Sequence, residues 1–372
     1  MSHTSLYYTN YDTDVTVCTE KEGFVMRKYY LDNIKWLVIV LVVVNHVISI
    51  FSSNGSVMSY NTKGIAALDA IGYFIYPWFM PILFVIGGMN ARYSLQHRTT
   101  KEFRKERVLR LLLPFLAYLL LIGPFAAQLA FKVNDYDIVF KELPSAVVII
   151  IRLLNGMGPS WFLLQMFLLS YLLLLIKKLD RKEKLYSISK ACNVKKLLLL
   201  YIPVFISAQL LYVAFTFRNG LYLFLFLLGY YMFSEEKVQD LIEKWGIYFL
   251  SAGALIGGFQ CYISFGKSYQ EVVNHWVVML YTWLMILGVM GCAKRWLNDS
   301  NFFTRYMNQR SFGIYLFHYV PMVYIAYYVT TYFHFSYIVN YILVFILSFA
   351  ASILLYEIMV RIPVFNVCFG LR

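Results

Sequence analysis

Charge is scarce in this chain. Asp, Glu, Lys and Arg make up 14% of its 372 residues, hydrophobic residues make up 60%, and the mean hydropathy is +0.62. A soluble core does not need that much apolar surface, so an ordinary water-solvated domain is excluded. Cysteine is also sparse in pattern. Cys18, Cys192, Cys261, Cys292 and Cys368 are scattered, odd in number and without CxxC spacing, so neither a disulfide framework nor a metal site follows. No internal repeat is visible, which weakens an ordinary secondary-transporter reading, because many such folds repeat a bundle. No low-complexity linker and no soluble domain stand out. A cleavable secretory signal is missing too: the opening stretch is polar and ends in Arg27-Lys28, and the apolar run after it has no small-residue cleavage site. That run reads as a retained first span, preceded by a flexible cytoplasmic tail over 1–28.

What the chain has instead is long apolar runs of Leu, Ile, Val, Phe and Tyr. In lipid only helices and closed barrels satisfy their backbone polar groups. The runs are continuous rather than alternating, which favours helices over a barrel. A spanning helix needs about 20 apolar residues. On that measure ten spans are expected, near 34–51, 66–91, 108–131, 161–177, 196–217, 220–234, 246–265, 274–293, 311–331 and 336–360. A shorter apolar stretch at 144–155 carries Arg152 and is expected to be re-entrant or interfacial. The fold class is therefore all-α, a polytopic membrane bundle with both termini cytoplasmic. It occupies residues 29–362, with a short tail over 363–372.

The net charge of +13 raises nucleic acid as a partner, but basic loops retained on the cytoplasmic side account for it first. With the N-terminus inside, only Lys63, Lys132, Lys141, Arg152, Arg218 and Lys267 of the 33 Lys and Arg fall away from the cytoplasmic segments and adjoining helix ends. Counting 144–155 as a full span would break that bias.

The first span carries Asp32, Lys35 and, well inside the hydrocarbon, Asn45-His46. At 100° per residue Lys35 and His46 lie about 20° apart on one face, and about 16 Å apart along the axis. Asp32 sits about 40° round from His46. A neutral imidazole at that depth is suited to accept a proton and return it. The alternative is a histidine hydrogen-bonded between helices as packing glue. After the second span, Arg104, Arg107 and Arg110 are spaced i, i+3, i+6 before Leu111-Leu112-Leu113-Pro114. If helical, they form one guanidinium ridge at the mouth of the third span. Guanidinium forks match phosphate geometry, while ordinary positive-inside arginines explain them as well. Gly87-Gly88 permits close helix approach or a local break. Trp161, after Gly158-Pro159-Ser160, suits an interfacial anchor or a cavity mouth. His318 is a second intramembrane histidine, and alone such a residue is more often structural.

Taken together, these segments resemble the acyltransferase-3 family of membrane acyltransferases. The matching pieces are Tyr30-Leu31-Asp32…Lys35…His46, Leu83-Phe84-Val85-Ile86-Gly87-Gly88, Arg107-x-x-Arg110 before Leu-Leu-Leu-Pro, Trp161-Phe162-Leu163, and Ser311-x-Gly313-x-Tyr315-Leu316-x-His318. They occur in family order over most of residues 29–320. Length and the Gly-Pro-x-Trp-Phe-Leu stretch are most similar to the bacterial glucan succinyltransferase branch. The resemblance implies ten spans in a bacterial cytoplasmic membrane and no permanently bound cofactor. It implies a cytosolic acyl-CoA donor (acetyl-CoA or succinyl-CoA) and an acceptor hydroxyl on a glycan or other envelope molecule. It makes His46 the catalytic histidine, with Arg107, Arg110 and Arg104 gripping CoA phosphates. Asn45 would orient the imidazole or an oxyanion only if the helix is distorted there. Lys35 stands where the family usually has arginine, and Gly87 replaces the usual serine. Trp161, Asp32 and His318 are supporting residues. Two other classes stay open: a transporter or flippase of an acidic or glycan substrate with His46 as its protonation site, and a non-catalytic membrane scaffold.

Overall fold

A computed structural model describes residues 27–53, 60, 64–180, 184–190, 192–214, 216–267, 272–333 and 335–371. Nearly all of the expected tail over 1–28, and Lys63, lie outside these residues. The described chain is helical, with a single isolated bridge between Tyr212 and Arg218 in place of any strand. The main helices are α1 (Tyr29–Ile50), α2 (Ala66–His97), α3 (Thr100–Val133), α4 (Ser145–Gly156), α5 (Trp161–Leu179), α6 (Val194–Leu199), α7 (Tyr201–Gln209), α8 (Asn219–Phe233), α9 (Glu236–Ile263), α10 (Trp276–Trp296), α11 (Phe302–Phe317), α12 (Tyr319–Tyr332) and α13 (Tyr337–Arg361).

Seven helices among the described residues are long and apolar enough to cross a membrane: α1, α2, α3, α5, α9, α10 and α13. The pair α11–α12 makes an eighth if counted as one bent span. The chain is a multi-pass membrane protein. Its outward faces carry Leu120, Phe125, Ile150, Leu175, Leu255, Phe259, Ile346 and Leu354, a surface suited to acyl chains rather than water.

The all-α polytopic architecture is as expected, and three of the ten expected spans depart from a straight full-length crossing. The expected span 196–217 is two short helices broken at Leu200, because the ring of Pro203 collides with the carbonyl one turn earlier and removes a helical donor. The helix expected at 220–234 runs Asn219–Phe233, at about 1.5 Å per residue shorter than the hydrocarbon thickness. The span 311–331 bends by 60° between α11 and α12. Pro321 is the cause: it clashes with the carbonyl of Phe317, so the helix breaks at His318. The stretch 144–155 is a mostly exposed 12-residue helix, tied down by Arg152 to Asp137 at 2.6 Å.

The basic helix ends gather at one end of the bundle. Lys28 bonds Gln239 at the start of α9 at 2.7 Å, and Asn33 donates to the carbonyls of Leu297 and Asp299 just past α10. Lys294 pairs with Asp240 and Glu243, and Arg310 midway along α11 pairs with Glu357 near the end of α13. Burial pushes the Lys28 ammonium below the usual lysine range, against the pull of nearby Glu236.

Two apolar clusters hold the bundle. One joins α2 and α6–α10, the other joins α11, α12 and α13, and α1, α3 and α5 contribute to both. The first is tight because backbones touch. A Cβ on Gly88 would stand 1.9 Å from the Phe226 carbonyl oxygen, and one on Gly229 would stand 2.0 Å from that of Val85. Gly87-Gly88 thus serves close approach, and α2 does not break there.

Candidate active site

His46 lies in the last turns of α1, far from the basic end where Lys35 sits. Its Nδ1 is 2.9 Å from Nε2 of His318, the residue at the α11–α12 break. His318 is fully buried. Its ring meets backbone carbonyls of the preceding turn: His318 Nδ1 is 2.8 Å from the Tyr315 oxygen and 3.1 Å from that of Ile314, which also accepts the His318 backbone N–H. Carbonyl oxygens only accept, so His318 Nδ1 carries hydrogen and donates. In the neutral ring Nε2 is then an acceptor, and His46 Nδ1 must donate to it. What remains is a lone pair on His46 Nε2. The hydrogen-bond network thereby assigns both tautomers. A base set in a fixed tautomer by a second group is the arrangement proton abstraction from a hydroxyl requires.

Aromatic side chains wall the pair. The Tyr319 ring lies 5.6 Å from that of His46. Tyr315 donates its hydroxyl to the Pro159 carbonyl and packs on Phe162 at 5.9 Å. From there Phe84, Tyr222 and Trp161 continue the cluster. Trp161 is half-buried against Tyr222, Phe217 and Phe162, so it belongs to this wall. The segment beside it turns at Gly158, whose φ of +46° is a left-handed conformation that glycine takes without strain.

The remaining expected site residues are spread out. Lys35 pairs with Asp32 at 3.0 Å, and Asp32 also binds Arg27 at 2.8 Å, so this acid–base group stays at the basic end. Asn45 is buried on another face: α1 is a regular helix through it, and its side-chain oxygen looks toward Gly72 of α2. The expected arginine ridge is split. A π-helical turn over Val108–Leu112 inserts extra winding between Arg107 and Arg110 and rotates them apart. Arg107 lies over the Phe103 ring at 4.5 Å, with no hydrogen-bond partner for Nε among the described residues. Arg110 is directed outward, 59% exposed, 3.9 Å from Glu106, which also holds Arg98. Arg104 is exposed. No group of three or more potential metal ligands occurs among the described residues.

Fold and site together define a multi-pass helical membrane protein with a paired histidine inside the bundle. The chain belongs to the acyltransferase-3 family: the family model, described as an acyltransferase domain, matches residues 28–357. It is a membrane acyltransferase. No curated protein and no solved structure matched the chain.

Proposed function

We propose that the protein moves a short acyl group, acetyl or succinyl, from cytosolic acyl-CoA to a hydroxyl of a glycan or other envelope acceptor, with His46 as general base. The observation that carries this reading is the hydrogen-bonded His46–His318 pair, which leaves His46 Nε2 bare inside the membrane domain of an acyltransferase.

CoA docks at the basic end. Its phosphates meet Arg107, whose guanidinium has an unused donor, with Arg110 and Arg104 at the rim. The acyl-pantetheine arm runs along the α1 face that links Lys35 to His46. His46 Nε2 takes the acceptor hydroxyl proton as the oxygen attacks the thioester carbonyl, and returns it to the departing thiolate of CoA. His318 keeps Nδ1 of His46 as a donor and stabilises the imidazolium through that contact. Asn45 has no part in this scheme.

The test is His46→Ala in purified protein supplied with acetyl-CoA or succinyl-CoA and isolated envelope polysaccharide. Turnover is expected to fall about 10²–10⁴-fold, the usual worth of general base catalysis, with donor affinity unchanged. A variant that turns over like wild type would remove His46 from the chemistry.

A further inference from the structure

One buried polar group beside the histidine pair has no role in the scheme above. Tyr118 is fully buried, yet its hydroxyl has no hydrogen-bond partner among the described residues. Phenol hydroxyls are normally paired when buried, because an unmet donor in apolar surroundings costs free energy. Local winding directs this side chain. Tyr118 opens the second π-helical turn of α3, Tyr118–Ile122, and such turns re-aim one residue and recur at functional sites.

The hydroxyl points at Gly158. A Cβ at that position would stand 2.9 Å from Tyr118 Oη and 3.1 Å from Cδ1 of Tyr319, so both side chains converge on the bare face of the glycine. Tyr319 is in turn the aromatic neighbour of His46. The next residue in the chain, Pro159, is held by the Tyr315 hydroxyl, which fixes the segment that carries Gly158. The site thus has a base on one side and, across one aromatic ring, an idle O–H donor packed against the bare face of a glycine.

We propose that the Tyr118 hydroxyl is a catalytic residue: the donor that stabilises the thioester carbonyl oxygen as it becomes an oxyanion. The assignment rests on the acyl-transfer reading above. The acceptor oxygen forms its bond to the carbonyl carbon while its proton passes to His46 Nε2. The π electron pair moves onto the carbonyl oxygen, which accepts a hydrogen bond from Tyr118. The C–S bond then breaks with return of that pair, and the thiolate leaves with the proton from His46. Tyr118 gives up no proton; it supplies a fixed dipole where charge develops.

Tyr118→Phe removes the oxygen alone. Turnover with saturating acetyl-CoA or succinyl-CoA, and isolated envelope polysaccharide as acceptor probe, is expected to fall about 10²–10³-fold, the effect of losing one oxyanion donor. KM for the donor should stay the same. The melting temperature should hold or rise, because no protein hydrogen bond is lost. A structural hydroxyl would give the opposite pattern, a lowered melting temperature with near-normal kcat, and that result overturns the proposal. As a second variant, Tyr118→3-fluorotyrosine keeps a donor of the same shape and should keep wild-type turnover; loss in this variant equal to that in Tyr118→Phe also overturns it. Wild-type turnover matched by Tyr118→Phe removes Tyr118 alone. Wild-type protein that releases no thiol from either donor removes the acyl-transfer reading and this assignment with it.

Discussion

At the scale of single residues, the chemistry of position 318 matters beyond its volume. His318 accepts the His46 Nδ1 hydrogen through Nε2, and nothing of the same size without a nitrogen or oxygen there can do so. His318→Phe is expected to lower turnover about 10²-fold with donor affinity kept. His318→Gln, whose side-chain oxygen can accept the same hydrogen, should retain more. Equal losses in the two variants, read as kcat at saturating donor, would make the residue mere packing. The depth of His46 and the face it shares with Lys35 were legible in the sequence, since helical spacing places both. Its partner was not: His318 is 272 positions away, and nothing in either segment marks the other. Tyr118 was invisible for a different reason. One tyrosine among 32 has no signature until its hydroxyl is found without a mate.

At the scale of elements, prolines and glycines decide the geometry. Pro321 makes the bend that leaves the Tyr315 carbonyl to the His318 ring. Pro321→Ala allows the α11–α12 helix to continue, so the Tyr315 carbonyl is claimed by the backbone, His318 Nδ1 loses its nearest acceptor and the pair loses its alignment. Turnover is expected to drop at least about 10-fold while thermal stability rises, because the interior proline no longer interrupts the helix. Unchanged kcat in that variant would disconnect the bend from the site. Gly88 works by absence. A methyl there meets the Phe226 carbonyl, a backbone atom that cannot swing aside, so Gly88→Ala should destabilise by about 1–3 kcal/mol, seen as a lower melting temperature in detergent. Apolar runs made most long helices readable. The π turns were not readable, because an extra residue per turn leaves no mark on composition. For that reason the sequence spacing of Arg104, Arg107 and Arg110 promised a ridge that the third helix does not keep.

At the scale of the whole molecule, basic side chains collect at one end and the histidines lie in the half remote from it. A donor carrying several negative charges is drawn to the basic end, and the attraction is screened by salt. Arg107→Ala combined with Arg110→Ala should weaken CoA binding about 10-fold or more and flatten its dependence on ionic strength, measured by thermal shift or calorimetry. Unaltered affinity would leave those arginines as topology alone. The histidine pair carries one more consequence at this scale. Chains of imidazoles inside a bilayer are potential proton wires, and a wire needs a basic group at each end. This one stops at the Tyr315 and Ile314 carbonyl oxygens, amide oxygens with no useful basicity. A proton taken up at His46 therefore has no onward route through His318 and leaves by the side it entered, so a bundle with two histidines at its heart remains an insulator.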